Sequence, residues 1–165
     1  MPNTISLSAN NRITWTVSDG VAAESQEVRT ARSITNGSGA NQANVAWRNQ
    51  VTIPAGQVYS FDMNNLADSA LGYSGRVTIT SIRDVMVVNM TTTAGAYVLW
   101  GVIGPSDSSA YAARIGRGGE YRVADWYDGQ AVTVGVDNVI YVANPSSVAV
   151  TLDVAFAGVG TYSDT

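Results

Sequence analysis

The chain has 165 residues and a formal net charge of −4, and it contains no cysteine, no histidine and no lysine; its nine basic residues are all arginine. These absences exclude thiolate nucleophiles, imidazole bases, Schiff-base amines, disulfides and the Cys/His sets that hold zinc. Charged residues make up 13% of the chain, against about 25% in an ordinary domain, which leaves a polar, uncharged exterior that suits either burial against protein neighbours or a soluble domain with an uncharged surface.

Residues 1–43 read as an N-terminal arm or edge segment. Met1-Pro-Asn-Thr-Ile5 has neither a basic region nor a continuous apolar stretch, so no targeting signal is expected. No later run approaches the roughly 20 apolar residues of a membrane span. Ile13-Thr-Trp-Thr-Val17 alternates as a strand does. Residues 18–43 are rich in Ser, Asn, Gly and Ala, and Gly37-Ser-Gly-Ala-Asn-Gln42 has the composition of a loop. This segment is either an arm lying on a neighbour or a long loop with one edge strand. Trp15, Arg29 and Arg32 are its candidate partner contacts.

Residues 44–165 read as a β-sandwich domain. The whole chain holds 22 valines and nine isoleucines against five leucines, a ratio that favours pleated sheets over helices. Val45-Ala-Trp-Arg-Asn-Gln-Val-Thr-Ile53 is a strand ending at Pro54-Ala-Gly56, and residues 57–62 form the next. Residues 62–72 carry a capping Asp62, apolar Leu66, Ala70 and Leu71 and a closing glycine, the pattern of a short helix. Residues 77–89 are one bent strand or two, with a bulge near Arg83-Asp84. Residues 97–103 are apolar on both faces and belong in a covered position. Residues 110–115, 120–124 and 131–134 are shorter strands. Residues 139–143 and 148–156 read as an antiparallel hairpin joined by Asn144-Pro-Ser-Ser147. In the last run Val148, Val150, Leu152, Val154 and Phe156 share one face. Some eight strands separated by turns predict an all-β, two-sheet antiparallel sandwich, with a jelly roll as the leading topology and an immunoglobulin-like sandwich second.

Carboxylates are the conventional acid–base groups that remain. Asp125-Trp-Tyr-Asp128 sets two acids beside two aromatics. The pattern suits a loop with packed rings and solvated acids, a sugar site, or a weak calcium site. Trp126 and Tyr127, with Tyr121, are candidate stacking or hot-spot residues. Ile115-Gly-Arg-Gly-Gly-Glu-Tyr-Arg122 has no P-loop lysine. It reads as a glycine hairpin whose arginines, with Arg114, are solvated or form inter-subunit ion pairs. Arg114, Arg117 and Arg122 are therefore candidate partner contacts. The acidic balance and the lack of a basic stripe argue against nucleic-acid binding.

Several segments between Val51 and Gly158 together resemble virion proteins of tailed bacteriophages. They are Val51-Thr-Ile-Pro-Ala-Gly-Gln-Val-Tyr59, Leu66-Ala-Asp-Ser-Ala-Leu-Gly72, Ile82-Arg-Asp-Val-Met-Val-Val-Asn89, Gly118-Gly-Glu-Tyr121, Val139-Ile-Tyr-Val-Ala-Asn-Pro145 and Val154-Ala-Phe-Ala-Gly158. The pattern is similar to that of jelly-roll head decoration, or cement, proteins. The resemblance implies a non-enzymatic structural protein of the virion, made in the host cytoplasm and bound to the outside of the capsid. It implies the major capsid protein as partner, homo-oligomers with a trimer at local threefold axes, and no cofactor, metal, nucleic acid or membrane. Other virion parts, such as a head-fibre base, collar or tail component, use similar sandwiches. A carbohydrate-binding module and a glycan-cleaving enzyme are the alternatives outside the virion.

Overall fold

The computed structural model describes residues 7–18, 23–67, 75–102, 111–125, 129–136 and 138–163. Its regular elements are twelve strands: β1 (Leu7–Ser18), β2 (Ala23–Asn36), β3 (Gln42–Ala43), β4 (Val45–Ile53), β5 (Val58–Asp62), β6 (Arg76–Asn89), β7 (Tyr97–Val102), β8 (Ala113–Gly116), β9 (Glu120–Ala124), β10 (Gln130–Ala131), β11 (Val139–Ala143) and β12 (Val150–Ser163).

One sheet runs β4, β12, β6, with β9 and β10 sharing the far edge of β6; the other runs β5, β11, β7, β8. Every pairing within these two sheets is antiparallel. The chain changes sheet at β4–β5, β5–β6, β6–β7, β8–β9, β10–β11 and β11–β12. That winding is a jelly roll, as the periodicity predicts.

The sheets are held together by aromatic rings. Trp47, Phe61, Trp100 and Phe156 are buried, with ring centroids 5.6 to 6.2 Å apart. The Trp47 indole N–H donates to the Ala67 carbonyl at 2.8 Å, so its one polar atom is satisfied. Val150, Leu152, Val154 and Phe156 all point into this core, as their alternation requires.

β6 is a single strand, and the expected bulge is present. Asp84 pairs with Ala157 and Ile82 with Gly158, so Arg83 is an extra residue opposite β12. The bulge breaks strict alternation, and Ile82, Arg83, Asp84 and Val85 are buried in succession.

Three expectations are corrected. The runs 139–143 and 150–163 do not form a hairpin: β11 pairs with β5 and β7, and β12 with β4 and β6. Asn144 makes the intervening segment a corner between sheets. The described part of 62–72 is turn, not helix. The Asp62 carboxylate accepts the Asn64 N–H at 3.0 Å, and Leu66 bridges Val77 through two backbone hydrogen bonds. The remainder of that stretch lies outside the described residues. Finally, most of the loop-like 18–43 segment is β2, which pairs antiparallel with all of β1. Its ladder rests on backbone pairing, which composition does not reveal. Residues 37–41 are the turn that leads into β3. At the base of this ribbon Ile34 is buried with Ala43 and Ala157.

Candidate functional site

Two surfaces of the jelly roll could carry function: the outward face of the β4–β12–β6–β9 sheet, and a cavity between the sheets.

The outward face is assembled by register. Arg48, Ala155, Met86 and Arg122 form one row across the four strands, and Gln50, Asp153, Val88 and Glu120 form the next. Each alternates with a core residue, so all of them face away from the core. The arginines in these rows are matched. Arg48 grips Asp153 with two hydrogen bonds, Nε to Oδ1 at 3.0 Å and Nη2 to Oδ2 at 2.6 Å. Arg122 grips Asp84 in the same two-pronged way, Nε to Oδ1 at 2.9 Å and Nη2 to Oδ2. The hydrogen bonds from Arg48, with its positive charge, hold the Asp153 carboxyl below its ordinary range against a smaller opposing effect of burial.

Between the two ion pairs lies an apolar strip. Met86 is 43% exposed at its centre, flanked by half-buried Ala155 and Val88. Met90, 51% exposed, follows beyond the end of β6. A surface whose two arginines are already held by carboxylates, with adaptable thioethers between them, can seat a protein partner; Glu120 is the one exposed carboxylate in these rows that neither pair uses.

The candidate arginines of the 114–122 segment are not brought together. Arg114 is exposed on β8 with its guanidinium 4.1 Å from the centre of the Tyr97 ring, on the opposite sheet from Arg122. Arg117 sits in the turn with Gly118 and reaches the Thr92 carbonyl at 3.4 Å. Arg122 is half-buried on β9 and pairs with Asp84 of its own chain. The separation follows from the glycine hairpin. Gly118 takes φ +63°, and Gly119 donates to the Gly116 carbonyl at 3.0 Å as the chain crosses between sheets. In the ribbon, Trp15 stands opposite Gln26, Arg29 opposite Arg12, and Arg32 opposite Ala9. Trp126, Tyr127 and Asp128 lie outside the described residues.

The cavity has a volume of about 730 Å³, within the usual range of small-molecule sites. Trp100, Tyr121 and Tyr141 contribute aromatic wall; Arg83, Asp125 and Asn138 contribute polar groups. Arg83 reaches it because the β6 bulge turns an otherwise alternating position inward. Asp125 is the one carboxylate in the described wall, so these residues do not assemble the paired acids of glycoside hydrolysis. Among the described residues no three acidic side chains are grouped to hold a metal ion.

Sequence reasoning missed the Met86 strip and the Asp84–Arg122 pair. The available signal was a methionine at an outward position of an otherwise apolar run; its neighbours depend on cross-strand register. No family model matches the chain, and no curated protein was found to be similar to it.

Proposed function

We propose that the chain is a structural virion protein that docks on the outside of a phage capsid, binds the major capsid protein and stabilises the shell. The observation that carries this reading is the Met86-centred face of the β4–β12–β6–β9 sheet, whose apolar strip lies between two arginine–aspartate pairs. The jelly-roll winding and the low-charge composition support it. The sequence resemblance to decoration proteins supplies the partner class and a trimeric arrangement at threefold sites. The mechanism is mass action: a ligand that binds the assembled lattice and not its free subunits stabilises the lattice. Repeated symmetric copies add avidity without new contacts. Virions lacking the protein are expected to burst at lower temperature or milder ionic stress than complete ones. Adding back the purified chain should restore them; equal stability with and without it contradicts the reading.

The cavity favours a second reading, a carbohydrate-binding module with Tyr121 and Tyr141 as stacking surface. A glycan array decides it. Binding that is lost in Tyr141→Ala supports the module, and an empty array removes it.

A further inference from the structure

The methionines of this chain fall into two environments. Met63 is fully buried in the core between the sheets. Met86 is 43% exposed and Met90 is 51% exposed. The division follows from β6. Beyond the bulge at Arg83 the strand alternates again: Val85, Val87 and Asn89 are buried, Met86 is exposed and Val88 is half-buried. Met90 continues the outward series one step past the strand, where its N–H donates to the Thr151 carbonyl at 2.9 Å. Met86 and Met90 are four residues apart, about 13 Å at the rise of a strand, so both thioethers belong to the apolar strip.

Thiols and thioethers are the side chains that peroxides oxidise most readily, and this chain has no cysteine. Hydrogen peroxide oxidises a thioether in one two-electron step. A sulfur lone pair attacks one peroxide oxygen, the O–O bond breaks and an S–O bond forms. The proton on the transferred oxygen passes to the departing one, which leaves as water. Sulfur loses two electrons, peroxide gains them, and no other reactant is needed. The product is a polar sulfoxide in place of a flexible apolar side chain. An apolar partner seated on the strip would strip water from that new oxygen and supply no donor for it. A buried acceptor left unpaired weakens a contact.

We infer that Met86 and Met90 are oxidation sites that switch the sheet face: the thioether form docks, and the sulfoxide form made by peroxide releases. The switching role rests on the proposed capsid contact, whereas the choice of sites rests on burial alone. Because the core encloses Met63, oxidation changes the face without opening the jelly roll. Docking covers the same thioethers, so a seated chain is expected to be oxidised more slowly than a free one.

The test treats the full-length chain with dilute hydrogen peroxide, maps the oxidised peptides by mass spectrometry and measures binding to stripped capsids by co-sedimentation. Met86 and Met90 are expected to gain oxygen, and Met63 to gain none until urea unfolds the chain. The oxidised protein is expected to bind shells more weakly than the same preparation before treatment, by about tenfold or more, with its circular dichroism unchanged. Methionine sulfoxide reductases for both sulfoxide epimers are expected to restore binding. The double variant Met86→Leu/Met90→Leu still carries Met1 and Met63. Peroxide is expected to leave its affinity, whatever the starting value, where it was. Oxidation of Met63 in step with the other two, full binding after Met86 and Met90 are oxidised, or a peroxide effect that persists in the double variant would each overturn the switch and leave the docking face standing. An untreated chain that binds no shells would remove the docking face and the switch with it.

Discussion

Asn144 shows how much one side chain can organise. It is 1% exposed, and its amide nitrogen donates to the carbonyls of Ile53 (2.9 Å), Pro54 (3.1 Å) and Val148 (2.8 Å). Its oxygen accepts the Ser146 N–H at 3.1 Å. One residue thus ties the β11–β12 corner to the β4–β5 corner. Removing it strands buried carbonyls, each worth about 1–3 kcal/mol. Asn144→Ala is expected to lower the unfolding free energy by about 2–4 kcal/mol in urea titrations; a loss below about 0.5 kcal/mol contradicts this role. The Arg48–Asp153 pair is a smaller matter. Arg48 is largely solvated, so solvent screening limits the pair to roughly 0.2–1 kcal/mol. Because the folded state lowers the Asp153 pKa, the contribution is present above the ordinary carboxylate range and is lost as pH falls through the folded value. Stability curves of the wild type and Asp153→Asn should therefore be separated at pH 7 and converge in acid. A gap that widens in acid would reverse the assignment.

Among the elements, β12 is the most constrained. It is central in its sheet, between β4 and β6, and it crosses both register shifts of β6. At those shifts two glycines let the backbones close in. A Cβ at Gly158 would stand 2.2 Å from the Ser81 carbonyl oxygen, and one at Gly160 would stand 1.9 Å from that of Thr78. The atoms met are backbone, so the strand itself would have to move. Gly160→Ala is expected to cost at least about 2 kcal/mol, toward the upper end of overpacking penalties. Gly56, at φ +70° with open space around it, should lose only about 1 kcal/mol to alanine, from backbone conformation alone. Thermal unfolding of the two variants checks the order, and the reverse order would contradict the close-approach account. The inward alternation of β12, the covered position of β7 and the bulge at Arg83 were all legible in the sequence, because side-chain period and polarity are local properties. Partner choice was not. Period-two alternation in 139–143 and 148–156 fits a hairpin as well as a corner between sheets, and only Asn144, an ordinary turn residue by type, distinguishes them. β2 was missed for a related reason: its pairing with β1 is a backbone ladder, and its composition resembles a loop.

At the scale of the whole molecule, the jelly roll confines its aromatic core between two sheets. Two of the nine arginines are used to neutralise Asp84 and Asp153 on a single sheet face, and the strip between them is apolar. The candidate contacts chosen from sequence, Arg114, Arg117 and Arg122, lie on different surfaces of the sandwich. Spacing along the chain could not show that the β8–β9 segment changes sheet between them. The proposed capsid contact is Met86 and its neighbours, and the decisive measurement is occupancy of stripped capsids by purified protein in co-sedimentation. Wild-type protein is expected to saturate the shells. Met86→Arg, which inserts a charge at the centre of the strip, should reduce affinity by about tenfold or more with an unchanged melting temperature. A Met86→Arg protein that decorates shells as well as the wild type would contradict the assignment of this face.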